Sequence, residues 1–275
     1  MEKSVENLLC EKLHMKFLKF SLGVNKKSTN VAVMGELGRY PLYINILLTV
    51  AKYYQRLTVA KSDELISSAF QESHKLYKNK KSSWVSSVYF LLHQIGIDTN
   101  VINNDDLIQI LKNKLVHRYK KRWTDVILDS ANNRTGKLRT YALFKTYMCQ
   151  EKYLLVLKNQ DIRKCLTSFR ISAHQLEIEA GRYKNIPVNS RICKLCNSNE
   201  VEDEVHFLLG CNHYKGEREK FFDEVQLSCG NFTLLSPINK MIWLMSNEDN
   251  NIIELLANFI HDCTKKRLDF LKSPR

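Results

Sequence analysis

Arg191–Cys211, RICKLCNSNEVEDEVHFLLGC, sets Cys193 and Cys196 two residues apart, His206 after a nine-residue gap and Cys211 after a four-residue gap. Three thiols and an imidazole at this spacing suit Zn²⁺, a d¹⁰ ion that takes tetrahedral sulfur and nitrogen ligands. Cys193, Cys196, His206 and Cys211 are the candidate ligands, with His213 as an alternative to His206. A closed Cys3His set leaves no position for water or substrate, so one structural Zn²⁺ is expected. Three thiolates give such a site a net negative charge, which Arg191 and Lys194 could offset. Asn197, Ser198 and Asn199 supply turn chemistry between the halves. Glu202 and Asp203 suit a helix N-terminus, followed by a short helix carrying His206. On a continuous α-helix, His206 and Cys211 would point about 140° apart. The spacing therefore predicts that Gly210 ends the helix in the left-handed conformation and turns Cys211 back.

Outward from this segment, helical periodicity dominates. The 275 residues are 44% hydrophobic but hold only four prolines and nine glycines, which points to a mainly α protein. The expected fold is an irregular multi-helix bundle with a small zinc-binding segment near 191–211. Two domains are expected, 1–135 and 136–275, the second containing the zinc motif. Val5, Leu8, Leu9, Leu13, Phe17 and Phe20 recur at helical steps and predict an amphipathic helix over 4–22, stopped by Gly23. Further helices are predicted over 62–77, 83–95 (core Trp84, Val88, Phe90 and Leu91), 105–130 and 138–157. After the metal segment, helices are expected over 214–227, 237–246 and 250–271. Asp161 is expected to cap the helix before the segment, and Gly181 to end the stretch that carries His174.

The formal net charge of +13 favours a polyanionic partner. Lys112, Lys114, Arg118, Lys120, Lys121 and Arg122 fall on one predicted helix with no acid from 107 to 124, and Tyr119 and Trp123 interleave with them. Such cations repel one another unless an anion lies nearby. Arg134, Lys137 and Arg139 extend the run, and with Arg191 and Lys194 they complete the candidate phosphate-contacting set. Asn103, Asn104, Asp105 and Asp106 are expected to start that helix. The pair Asp105–Asp106 lacks the apolar strands and preceding aromatic residue of a polymerase metal site. GELGR at 35–39 lacks the Lys-Ser/Thr ending of a phosphate loop. No signal peptide is evident, and Ile44–Ala51 is too short to span a bilayer, so a nuclear or cytoplasmic protein without a membrane partner is expected.

LEIEAGRY, the R-x-C-x-x-C start and VEDEVHFLLGC, followed by Tyr214 and Arg218, together resemble the region downstream of the polymerase domain in non-LTR (LINE-like) retrotransposon reverse transcriptases. EKLHMKFLKFSLGVNKKSTN with GELGRYPLYI is similar to the thumb and linker of the same elements. The resemblance spans about residues 5–270 and implies a CCHC zinc site at Cys193, Cys196, His206 and Cys211. It further implies binding of element RNA and target DNA, with a reverse-transcriptase polymerase domain as a partner. No aromatic-x-Asp-Asp motif and no converging nucleophile, base and carboxylates are present, so the chain is expected not to be an enzyme. It is expected to be a non-catalytic RNA- or DNA-binding fragment. The alternative is a protein–protein interaction or scaffold module of the same origin that binds no nucleic acid.

Overall fold

A computed structural model describes residues 8–60, 65–97, 106–132 and 136–273. Val5, Asn103, Asn104, Asp105 and Arg134 lie outside the described residues. The helices are α1 (Leu9–Leu22), α2 (Asn30–Leu37), α3 (Leu42–Thr58), α4 (Leu65–Lys78), α5 (Trp84–Gln94) and α6 (Leu107–Asn132). They continue with α7 (Tyr141–Phe144), α8 (Tyr153–Val156), α9 (Gln160–Arg170), α10 (Glu177–Ala180), α11 (Lys215–Ser228), α12 (Pro237–Ser246) and α13 (Asn250–Lys272). Among the described residues the only β pairings are two isolated antiparallel bridges, Leu37 with Gln150 and Ile192 with Val201. The fold is mainly α, as the periodicity predicts.

Contacts divide the chain into two compact units, Met1–His14 with Tyr40–Arg122 and Met15–Arg39 with Trp123–Arg275. The linear reading cuts once, at 135. The observed grouping takes Met15–Arg39 into the second unit because α2 finds its partners far along the chain. Trp123 Nε1 donates to the Val31 carbonyl at 3.0 Å, and Tyr141 Oη donates to that of Ala32 at 3.3 Å.

The first unit has an apolar core of Ile44, Ala51 and Tyr54 from α3, Val85, Val88 and Leu92 from α5, and Leu107, Leu111 and Leu115 from α6. Tyr54 is its centre. Phe70 and Tyr89 meet its ring edge-on, and its hydroxyl lies 3.2 Å from His74 Nε2. Ser83 and Ser86 form a reciprocal capping box at the start of α5, which stabilises a helix by satisfying two otherwise orphan donors. Trp84 and Phe90 are not core residues. The buried stripe of α5 runs through Val85, Val88 and Leu92 at i, i+3 and i+7, leaving Phe90 on the solvent side.

The second unit is braced by buried charge. Glu36, at the end of α2, accepts hydrogen bonds from Arg170 Nε at 2.8 Å and Nη2 at 3.2 Å. Arg170 is 4% exposed; it also binds Glu151 at 2.6 Å and the Met245 carbonyl. Lys145 pairs with the other oxygen of Glu151. This network explains a departure from expectation, since 138–157 is not one helix. α7 and α8 are single turns, and between them the backbone extends so that Glu151 N donates to the Glu36 carbonyl at 2.9 Å. Burying an unsatisfied carbonyl costs more than breaking a local helix gains, so tertiary pairing prevails over propensity here. At the start of α9, Asn159 rather than Asp161 is the cap, accepting from the Asp161 and Ile162 amides.

Several large apolar residues of α1 face away from its buried side. Glu11, Leu18 and Leu22 are buried, whereas Leu9 (83%) and Phe20 (81%) are among its most exposed residues, with Leu13 and Phe17 also exposed. Glu11 is buried because its carboxylate accepts the Tyr43 amide at 2.7 Å.

Candidate metal centre

The metal segment begins as a minimal hairpin. Cys193 N donates to the Glu200 carbonyl at 2.9 Å and Glu202 N to the Arg191 carbonyl at 2.9 Å, flanking the Ile192–Val201 bridge. Asn199 closes the turn with φ +56°, a left-handed conformation that asparagine tolerates better than most residues. Cys193 and Cys196 leave the hairpin on the same side, and the Leu195 amide donates to Cys193 Sγ at 3.5 Å.

The second half differs from the expected helix. Asp203 caps it, accepting from the His206 amide at 2.8 Å, but His206–Gly210 is a π-helical turn. Cys211 N donates to the His206 carbonyl at 2.7 Å, an i→i+5 bond. Gly210 is not among the residues with positive φ, so the glycine stop does not occur. The wider turn itself makes residues five apart neighbours, bringing Cys211 beside His206. Short π segments of this kind occur often at functional sites.

The ligand atoms of Cys193, Cys196, His206 and Cys211 all lie within 4.8 Å of one another, a group compatible with a single metal ion. Cys193 Sγ is 3.8 Å from Cys211 Sγ, and His206 Nε2 is 3.4 Å from Cys196 Sγ. Glu200 Oε2 lies 2.9 Å from His206 Nδ1, a carboxylate acceptor that orients the ring so that Nε2 faces Cys196. His213 is not part of the group. Its ring packs against Tyr214 and Phe270. The four groups share protons unevenly. Hydrogen bonding between Cys193 and Cys211 pushes the Cys193 thiol down and the Cys211 thiol up. Burial opposes the charged form of His206, but the Cys193 thiolate and the contacts to Cys196 and Glu200 outweigh it and raise the ring to about 9. Protons held on Cys211 and His206 are those that a bound cation would displace.

Ion pairs fix this segment from outside. Glu202, expected at a helix N-terminus, is buried and takes a two-pronged bond from Arg267 at 2.8 and 2.7 Å. Glu204 is buried among Arg139 at 2.6 Å, His174 at 2.9 Å, Ser172 at 3.1 Å and Thr140 at 3.2 Å. Burial would raise the Glu204 carboxyl, but the hydrogen bond from His174 and the charge of Arg139 hold it at about 2. His174 also accepts the Leu176 amide on Nδ1, so both its ring nitrogens are engaged in packing. Arg218 donates from both terminal nitrogens to the Cys211 carbonyl.

Several residues expected to touch phosphate have other partners. Arg139 bridges Glu179 and Glu204. Arg191 is 8% exposed and donates to the Ile186 and Ile178 carbonyls at 2.9 and 2.6 Å. Gly181 caps the end of α10 and, with φ −65°, leads into a 3₁₀ turn over Gly181–Lys184 rather than turning left-handed. A Cβ there would lie 2.7 Å from Arg191 Cγ, so the glycine makes room for that side chain. Lys194 pairs with Glu177 at 2.7 Å. Lys137 donates to the Lys27 carbonyl at 3.0 Å.

On α6 in the first unit, Lys112, Lys120 and Lys121 are exposed, and Arg122 is half-buried. Lys114 and Arg118 are exposed too, yet they reach the Gly96 and Gln94 carbonyls at the end of α5, where cations complement the helix dipole. Tyr119 packs edge-on against Tyr40, and Trp123 is buried, so neither aromatic residue is presented to solvent as a platform.

Glu200, Glu202, Glu204, Arg218 and Arg267 are site residues that the sequence reading misses. Their acids are visible as a run beside the ligands, but their arginines lie up to 65 residues away. No helix among the described residues is long and apolar enough to cross a membrane. Comparison with protein-family models, curated proteins and solved structures found no match.

Proposed function

We propose that this chain is a non-catalytic nucleic-acid-binding module, stabilised by one structural Zn²⁺ and derived from the C-terminal region of a non-LTR retrotransposon reverse transcriptase. The observation that carries the binding reading is α6, where Lys112, Lys120 and Lys121 are exposed on a helix with no acid from 107 to 124. Zinc is supported by geometry. Zn–S and Zn–N lengths of about 2.3 and 2.0 Å in a tetrahedron put S···S at about 3.8 Å and S···N at about 3.5 Å. The corresponding distances here are 3.8 and 3.4 Å. Cys193, Cys196, His206 and Cys211 would hold the ion, and four protein donors leave no open position for a substrate. The retrotransposon origin rests on the motif order from LEIEAGRY to Arg218.

Phosphate-dominated binding makes log affinity fall linearly with log salt, by about 0.9 per phosphate neutralised on duplex DNA. A salt titration with labelled RNA and DNA tests the reading. A slope near zero, or no binding at about 50 mM salt, would overturn it. The exposed apolar stripe of α1 favours a second reading, an interaction module that binds another protein instead. Sedimentation separates the two, because that reading requires a tight assembly indifferent to nucleic acid.

A further inference from the structure

In the second unit, a group of lysines collects around one exposed tyrosine. Lys27 Nζ stands 4.6 Å from the centroid of the Tyr183 ring, and Lys137 Nζ lies 3.4 Å from its hydroxyl. Lys137 also donates to the Lys27 carbonyl, and Lys19 Nζ donates to the Lys26 carbonyl at 2.9 Å. Lys26, Lys27 and Lys184 are exposed, and Tyr183 keeps 53% of its surface open. Backbone carbonyls, not carboxylates, hold the ammonium groups of Lys19 and Lys137. Among the described residues, Lys19, Lys26, Lys27 and Lys137 form no ion pair with an acid.

This arrangement contrasts with Arg139, Arg170, Arg182 and Arg267 of the same unit, each of which pairs with glutamate. Like charges gathered without a counter-ion repel one another, and the effect registers at Lys19, whose pKa is lowered by burial and by the charge of Lys137. A polyanion laid across the patch would relieve that repulsion. The aromatic ring adds a second requirement, because an exposed ring flanked by cations is a stacking platform for an unpaired base, whereas bases within a duplex are already stacked. α6 has cations but no exposed ring.

We infer that Lys19, Lys26, Lys27, Lys137 and Tyr183 form a binding site for single-stranded nucleic acid, with the lysines on the phosphates and Tyr183 stacked against a base. The site rests on the nucleic-acid reading proposed above, and it specifies the strand state that the second unit takes. Contacts of this type carry no base sequence information, so oligo-dT and oligo-U are both ligands of the site.

The test is fluorescence anisotropy on the full chain with labelled oligo-dT, oligo-U and a DNA duplex, each about 16 nucleotides long. Tyr183→Ala is expected to weaken both single strands about tenfold, within the range of one lost stacking contact, and to leave the duplex unchanged. Tyr183→Phe keeps the ring and is expected to bind like wild type. Lys27→Gln with Lys137→Gln should lower the single-strand salt slope by about 1.4, or about 0.7 per cation. Circular dichroism melting confirms that each variant is folded. If wild type binds the single strands and these variants match it, or if Tyr183→Ala weakens the duplex equally, the inference is overturned and the α6 reading stands. If wild type binds none of the three probes, both fall.

Discussion

The arginines around the Cys3His group and the lysines of α6 use the same charge for opposite purposes. Arg139, Arg191, Arg218 and Arg267 are shielded from solvent, and each is directed at an internal carboxylate or carbonyl. Lys112, Lys120 and Lys121 project into solvent. The guanidinium fork suits the first role because it can satisfy two acceptors at fixed geometry, as Arg267 does on Glu202. A strongly basic sequence is therefore not a uniformly basic surface. Much of the arginine charge is internal mortar, and the surface excess is mostly lysine.

Removing the metal should give the largest effect. Chelation, or Cys196→Ser, is expected to abolish stoichiometric zinc and to open residues 185–215 to hydrogen exchange while the first unit stays protected, because metal binding supplies folding free energy to such sites. Elemental analysis that finds no zinc in the wild type would remove the basis for this expectation. Next comes Arg170→Met, which strands Glu36 and Glu151 in the interior. Breaking a buried pair in this way costs about 3–5 kcal/mol, readable as a lowered denaturant midpoint. Glu200→Gln should be milder. It weakens the partner that orients His206 and is expected to reduce zinc affinity about 10–100-fold in a competition titration while the fold is kept. Smallest in stability is Lys112→Gln with Lys120→Gln and Lys121→Gln, expected to change unfolding free energy by less than about 0.5 kcal/mol. The same triple variant should flatten the salt dependence of nucleic-acid binding. If it instead destabilises the chain as Arg170→Met does, the contrast between internal and surface cations fails.

Much of the fold was legible in the sequence because most of the longer helices obey local rules. Gly23, Gly38 and Gly96 take the left-handed conformation at helix ends, and Ser236 before Pro237 caps α12 as its chemistry demands. The Cys3His group was legible for the same reason, since its spacing is short-range information. What escaped was set by distant partners. Residues 138–157 have helical periodicity, yet Glu36 and Arg170 draw the backbone into an extended path. The apolar stripe of α1 resembles a core face, but burial depends on what packs opposite, and the buried side is the one carrying Glu11 and Leu18. Arg139 and Arg191 looked like surface cations because their acceptors are not sequence neighbours.

The π turn at His206–Gly210 also changes how the ligand spacing itself should be read. A histidine and a cysteine separated by four residues are out of phase on an α-helix and in phase on the wider turn, so the extra residue belongs to the coordination code. Forcing this segment into a regular α-helix at its present length would turn Cys211 about 140° away from His206 while all four side chains remained in the chain. Such a variant would keep its three cysteines and its histidine and still be expected not to bind zinc. In this segment the winding of the backbone between the candidate ligands is as much a determinant of their convergence as the ligand types are.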